Sequence, residues 1–294
     1  MACSVRSVIL SLACVCQLMG VTAAADRSVP DLRLVPSGVE VVRDLSYVTN
    51  GHAKQKLDLY LPKRGDKLPL IVWIHGGGWE AGDKENPRAI ILTRDGKYAV
   101  ASINYRLSKD ARFPAQIEDC KSAIRWLRAN SAKYRLDPQR IGVIGQSAGG
   151  HLSALLGTSG DVKQFDQGDN KQFSSKVQAV CDICGPTDIS LYGRSRSDDL
   201  LGRLFGGPIQ DNRAQVQLAN PMAHIGKQIP PFLIIHGDKD PIVPIEHSRL
   251  FEQSLKKAGG TVTLRVVAGA QHDPMEQDTP ALVTRFFDQH LQPE

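Results

Sequence analysis

Short apolar runs bounded by turn residues recur along the chain, at 39–42, 57–61, 70–74, 99–103, 141–144, 177–183, 232–235 and 261–267. The first two alternate apolar and polar positions, as strands of an exposed or antiparallel edge pair do. The central four are almost continuously apolar, which is the pattern of strands covered on both faces. Segments with helical spacing lie between the runs, at 87–94, 115–133, 151–158, 245–258 and 279–290. Strands alternating with helices predict an α/β fold: a mostly parallel eight-stranded sheet with helices on both faces. No internal repeat, low-complexity stretch or linker interrupts the alternation, so residues 26–294 read as one domain.

Two segments depart from the pattern. Residues 161–176 are polar and contain glycine, as a surface loop would. Residues 185–229 carry Gly206-Gly207-Pro208, run into Pro230-Pro231 and include a short helical stretch around 212–219. Lying between two strands at the edge that carries the candidate chemistry, this segment reads either as a partial lid or substrate-binding wall, or as an ordinary surface excursion.

Composition changes the picture mainly at the N-terminus. The chain has 294 residues, 41% hydrophobic and 23% charged, an ordinary globular profile. Arg6, a mostly apolar stretch over 7–20 and the small residues Val21-Thr22-Ala23-Ala24-Ala25 predict a cleaved signal peptide over 1–25, and hence a secreted or periplasmic protein. That stretch is short of the roughly 20 residues a membrane span needs, so no membrane span is predicted. Loss of the signal removes one of the 36 basic residues and leaves 35 against 31 acidic ones, a net +4 spread along the chain. No basic block is present, which argues against a nucleic-acid partner. Of the six cysteines, Cys120, Cys181 and Cys184 remain. An odd number cannot close into disulfides alone, and buried free thiols are the expectation. The spacing of Cys181 and Cys184 places them on opposite faces of a strand.

The candidate chemistry begins at Gly145-Gln146-Ser147-Ala148-Gly149. An apolar run precedes this G-x-S-x-G and a helical segment follows it, the strand-turn-helix setting that lifts a serine hydroxyl above a sheet edge. Such a hydroxyl becomes nucleophilic when an imidazole takes its proton and a carboxylate fixes that imidazole. Downstream, the run at 232–235 enters His236-Gly237-Asp238-Lys239-Asp240-Pro241, and the last run is followed by Gly269-Ala270-Gln271-His272-Asp273. Asp240 is favoured over Asp238 as the acid because it lies farther into a proline-stiffened loop. Asp238, directly after the strand, suits a role in bracing that turn. His272 is favoured as the base. His75 and His236 end strands, His151, His247 and His290 lie on expected helices, and His52 and His224 do not fit the order serine, acid, histidine. Asp182 and Asp188 are acid alternatives that come one strand early.

Upstream, His75-Gly76-Gly77-Gly78-Trp79 follows the run at 70–74. Its glycines let backbone N–H groups face a developing oxyanion. The expected hole is the N–H of Gly77 or Gly78 with that of Ala148. Trp79 either lines the acyl pocket or braces the glycine loop. Tyr105 and Arg106 are expected to pin a loop under the site, and Asp119 to have a solvent or cap role on its helix. No metal and no cofactor is expected.

These motifs, with Asn104-Tyr105-Arg106-Leu107 between them, resemble the α/β-hydrolase superfamily from about Val39 onward. Their arrangement is similar to secreted bacterial esterases related to feruloyl and acetyl carbohydrate esterases, near the hormone-sensitive-lipase-like enzymes. The latter usually carry Asp where this chain has Gln146, and an N-terminal helical cap for which residues 26–38 leave little room. The resemblance implies a metal-independent serine ester hydrolase acting on a small-molecule or polysaccharide-linked ester, with acetyl or feruloyl groups on carbohydrate expected. A general short-chain carboxylesterase or lipase, a serine peptidase and a non-catalytic hydrolase-fold binding protein are the alternatives.

Overall fold

A computed structural model of the protein describes residues 35–85, 87–275 and 278–292. The signal peptide expected over 1–25 lies outside the described residues. Eight strands form one sheet: β1 (Val39–Ser46), β2 (Lys56–Pro62), β3 (Leu68–Ile74), β4 (Ala99–Ile103), β5 (Leu136–Gln146), β6 (Ala179–Ile183), β7 (Phe232–Gly237) and β8 (Val262–Val267). Their spatial order is β1-β2-β4-β3-β5-β6-β7-β8. The pairs β1/β2 and β2/β4 are antiparallel, and every later pair is parallel.

Alternation within the central strands feeds two cores. Leu70, Val72 and Ile74 of β3 point into one, with Ile117, Ile124 and Leu127 of α1 (Ala115–Ala129), Leu152 and Leu155 of α2 (Ala148–Thr158) and Phe251 of α5 (Glu246–Lys257). Ile71 and Trp73 point into the other, with Ile90 of the 3-10 turn Arg88–Thr93 and Val283 and Phe287 of α6 (Thr279–Leu291). Helices therefore cover both faces of the sheet. In chain order between α2 and α5 come two short helices in the 185–229 segment, α3 (Leu200–Phe205) and α4 (Arg213–Leu218). Among the described residues no helix is long and apolar enough to cross a membrane.

Several local expectations need correction. Strands β1 and β2 do form an antiparallel pair at one edge of the sheet, but β2 is buried along nearly its whole length. Its polar alternation is real, yet Asp58 is consumed by Lys84 at 2.8 Å and Arg43 at 3.2 Å rather than facing water. Cys181 and Cys184 do not sit on opposite faces. Strand β6 ends at Ile183, Cys184 turns to φ 51, and both thiols enter the same core. All three described cysteines are free and buried. The 161–176 loop is anchored rather than wholly on the surface, with Phe165 in the core and Asp166 paired to the buried Lys121 at 2.9 Å.

Candidate active site

The parallel strands deliver their C-terminal ends to one edge, where β5, β7 and β8 each continue into a loop carrying a candidate residue. Ser147 joins β5 to α2 with φ 58 and ψ −122. A side-chain-bearing residue at positive φ is strained by about 1–3 kcal/mol and persists only where its surroundings hold it. Here Ser147 N–H donates to Ile183 O at 2.8 Å, and His151 N–H donates to Ser147 O at 2.9 Å. The flanking glycines are sterically required. A Cβ on Gly149 would lie 2.1 Å from Ile74 O, and one on Gly145 would lie 2.3 Å from Gly149 O.

In the loop after β7, Asp240 Oδ1 accepts the N–H groups of Ile242 (2.8 Å) and Val243 (3.0 Å), while Oδ2 accepts from His272 Nδ1 at 2.7 Å. Burial alone would raise the Asp240 pKa, but the Val243 and Ile242 amides and the His272 ring together hold it below the ordinary value. Because a carboxylate only accepts, Nδ1 carries the proton and His272 Nε2 is left as an acceptor. The Asp240 side chain is fully buried and His272 remains 20% exposed, so the ring bridges a fixed anion and the open cleft. Asp238 instead accepts Gly269 N–H at 2.6 Å and pins the two loops together.

His236 is buried, with its Nε2 also 3.3 Å from Asp240 Oδ2. Its Nε2 donates to Val243 O at 2.9 Å, its Nδ1 shares a hydrogen bond with Ser248 Oγ at 2.6 Å, and burial lowers its pKa. Cys184, His236 and Asp240 bring ligand-type atoms within 4.8 Å of one another. The nitrogens of His236 and both oxygens of Asp240 are already engaged in these internal hydrogen bonds.

Ser147, Ala148, Gly77, Gly78, Trp79 and His272 all line one cleft of about 900 Å³. Gly77 and Gly78 take φ 100 and φ 60, and a Cβ on Gly77 would lie 2.4 Å from Ala81 O. Among the described residues no backbone acceptor faces the N–H of Gly77 or Gly78. Ala148 opens α2, where N–H groups have no acceptor within the helix. Trp79 borders the cleft, and its indole N–H donates to His151 Nδ1 at 3.3 Å. His151 Nε2 then donates to Ala219 O at 2.7 Å, and burial lowers the His151 pKa to about 4. His75 stacks on Tyr105 at 4.3 Å, and burial likewise lowers its pKa to about 4. The 185–229 segment supplies a wall through Tyr192, Arg194, Leu200 and Leu201, and Ile242 and Val243 face it.

The remaining candidates lie away from the cleft. Asp119 is 1% exposed and is not a solvent or cap residue: it takes both Arg106 N–H at 2.8 Å and the Arg106 guanidinium, and it accepts from Gln55 at 2.7 Å. Tyr105 donates to His75 O at 3.0 Å, so this cluster holds the base of the glycine loop. Asp182 is buried under α2 with Oδ1 accepting Gly185 N–H at 2.9 Å, and burial raises its pKa to about 7. Asp188 caps the turn at Ser190. One contact has no counterpart among the sequence motifs. Gln146 Nε2 donates to the backbone carbonyl of His272 at 3.0 Å.

Residues 57–255, more than half of the chain, match the BD-FAE family. The chain belongs to that family. The matched stretch includes Ser147 and Asp240 and ends before His272, so the BD-FAE match and the contact at His272 are independent observations. Among solved structures, this BD-FAE chain is similar to a truncated carbohydrate esterase from gut microbiota, at TM-score 0.79 and 31% identity over 85% of this chain and 95% of that one. It is also similar to the esterase Est2 of the planctomycete Thermogutta terrifontis, at TM-score 0.69 and 29% identity over 88% and 95% of the two chains. Among curated proteins it is 34% identical to Esterase LipC of Mycobacterium tuberculosis over 64% of this chain and 48% of LipC. The chain thus spans about half the length of the curated relatives it matches. The sheet order and these neighbours give it the α/β-hydrolase fold.

Proposed function

We propose that the chain is a serine carboxylic ester hydrolase that works through an acyl-enzyme and removes acetyl or feruloyl groups from carbohydrate. One arrangement carries the reading: Ser147 on its strained elbow and His272, tied to Asp240, open onto the same cleft. Ser147 Oγ adds to the ester carbonyl carbon while its proton passes to His272 Nε2. Asp240 keeps the ring in the required tautomer and stabilises the imidazolium. Negative charge moves to the carbonyl oxygen, where the N–H groups of Gly77 or Gly78 and of Ala148 receive it. One such donor is worth about 2.7–4 kcal/mol of barrier. The C–O bond then breaks and the alcohol leaves with the proton held by His272. A water gives its proton to the same imidazole and adds to the acyl carbon, and Ser147 departs protonated.

Support for the substrate class comes from the solved relative named a carbohydrate esterase and from the cleft itself. Tyr192, Leu200, Leu201 and Ile242 offer an apolar surface suited to the aromatic ring of a feruloyl group. Residues 185–229 act in this reading as a substrate-binding wall. Residues 1–25 act as an export signal whose removal leaves a secreted or periplasmic enzyme, which N-terminal sequencing of the mature chain checks. A general short-chain carboxylesterase is the second reading, favoured by the curated relatives named esterases. Release of acid from acetylated xylan, a feruloylated oligosaccharide and short p-nitrophenyl esters separates the two. Ser147→Ala must abolish turnover and labelling by a fluorophosphonate, and a fully active variant overturns the mechanism.

A further inference from the structure

The loop that carries His272 borders a second, open cavity of about 790 Å³, shared with Arg265, Val267 and Asp278. Its residues Ala270 and Gln271 pack against Gly237 at the end of β7. Separate polar ties add to that packing. Asp238 takes Gly269 N–H at 2.6 Å, Lys239 N–H donates to Ala270 O at 2.9 Å, and Asp240 takes the His272 ring. Beyond the histidine, Asp273 forms a two-pronged pair with Arg88 at 2.5 and 2.6 Å. All of these fix the loop to β7's loop or to the turn at 88–93, and none fixes it to the strand that carries Ser147.

Gln146 supplies that missing tie. Its Nε2 reaches the His272 carbonyl at 3.0 Å, across 126 residues of sequence, and among the described residues it is the one hydrogen bond between the nucleophile elbow and the histidine loop. The acceptor is a carbonyl, so the amide must present its NH2 side, and a carboxylate at 146 would meet that oxygen with like charge. Gln146 and His272 both border the main cleft and the cavity behind it, so their contact is the partition between the two spaces.

We infer that Gln146 is a positioning residue that sets the separation between Ser147 and His272 by tying the backbone of the base to the side chain of the residue before the nucleophile. The inference rests on the proposed serine hydrolase reading for its effect on rate, and on the loop alone for its effect on mobility. Cutting the tie lets His272 relax toward the cavity, and a displacement of about 1 Å between reacting groups costs up to about a hundredfold in rate.

The experiment compares wild type, Gln146→Met and Gln146→Glu in two readouts. The first is kcat and KM on p-nitrophenyl acetate from pH 5 to 8, and the second is hydrogen–deuterium exchange of residues 269–273. Gln146→Met, similar in size but without a donor, is expected to lose about ten- to a hundredfold in kcat with KM little changed, and to speed exchange in the loop. Gln146→Glu can donate only when protonated, so its rate relative to wild type is expected to recover as pH falls. A ratio that stays flat with pH, or a Gln146→Met variant with unaltered kcat or unaltered loop exchange, overturns the clamp. Should Gln146→Met fail to fold, the pH dependence of the Gln146→Glu ratio decides alone. An inactive wild type overturns the hydrolase reading instead, and loop exchange then still reports on the tie.

Discussion

His272 Nδ1 and Asp240 Oδ2 meet at 2.7 Å, and the carboxylate's other oxygen is already committed to two backbone amides. The acid therefore cannot swing away from the imidazole without giving up both amide bonds. Replacing it with asparagine keeps the shape but offers Nδ1 either an amide oxygen or an amide N–H, and in the latter case forces the wrong tautomer. Asp240→Asn is expected to lower kcat by about 10⁴ with KM nearly unchanged. Asp238→Asn, which touches only the Gly269 turn, is expected to retain most activity. Steady-state kinetics of the two purified variants provide the check, and equal losses would sink the distinction.

Gly149 packs against the end of β3, where the glycine loop begins. An added methyl would lie 2.1 Å from Ile74 O, a backbone atom with no side chain to swing aside. Gly149→Ala is expected to destabilise by at least the roughly 1–3 kcal/mol of an overpacked core and to abolish ester hydrolysis. Gly226, with nothing within 4 Å of its added Cβ, serves as the control. Urea unfolding midpoints of the two alanine variants should differ clearly, and matching midpoints would contradict the packing account.

Three buried histidines set the acid side of the stability curve. Burial holds His75, His151 and His247 neutral, each with a pKa lowered from 6.5 to about 4. Between pH 6.5 and 4 the unfolded chain binds protons that the folded chain refuses, so stability rises with pH across that window and is complete above it. Melting temperature is expected to fall steadily as pH drops from 7 to 4.5. A melting temperature that holds level across that range would show these rings to be solvated.

Asp182 works in the opposite sense. Its pKa is raised from 3.8 to about 7, and its Oδ2 is buried with no protein partner. The folded state then binds the extra proton, so this group's contribution is complete below pH 3.8 and is lost as pH rises through 7. Asp182→Asn does not titrate. The melting temperature of the variant minus that of wild type should climb between pH 4 and 7 and level off above it. A difference that is constant with pH would mean that Asp182 is not held protonated.

Most of the frame is legible in the chain because burial on both faces writes itself as uninterrupted apolar runs. The central strands announce themselves in this way, and the glycines around Ser147 mark a turn that tolerates no Cβ. Proximity across the fold is harder to read. The alternating polar positions of β2 look solvated, yet Asp58 is buried by Lys84 and Arg43, and nothing in the local pattern says so. Asp119 on its amphipathic helix reads as a surface charge because its partner Arg106 lies on a preceding loop. Cys184 follows the spacing of its strand on paper, but the strand stops one residue sooner. Helix α3 was not distinguishable within 185–229, since six residues carry too little periodicity to stand out. The tie from Gln146 to His272 depends on a backbone carbonyl, which every residue has and no motif records.

Strand β8 pairs with β7 alone and closes the outer edge of the sheet. The acid's loop is tied to that strand and to the turn beyond it, through Asp238 N–H to Val267 O at 3.2 Å and Gly269 N–H to Asp238 Oδ1 at 2.6 Å. On the proposed assignment Ser147 has no proton acceptor until that edge is made, so the onset of hydrolysis during refolding times the closing of the sheet.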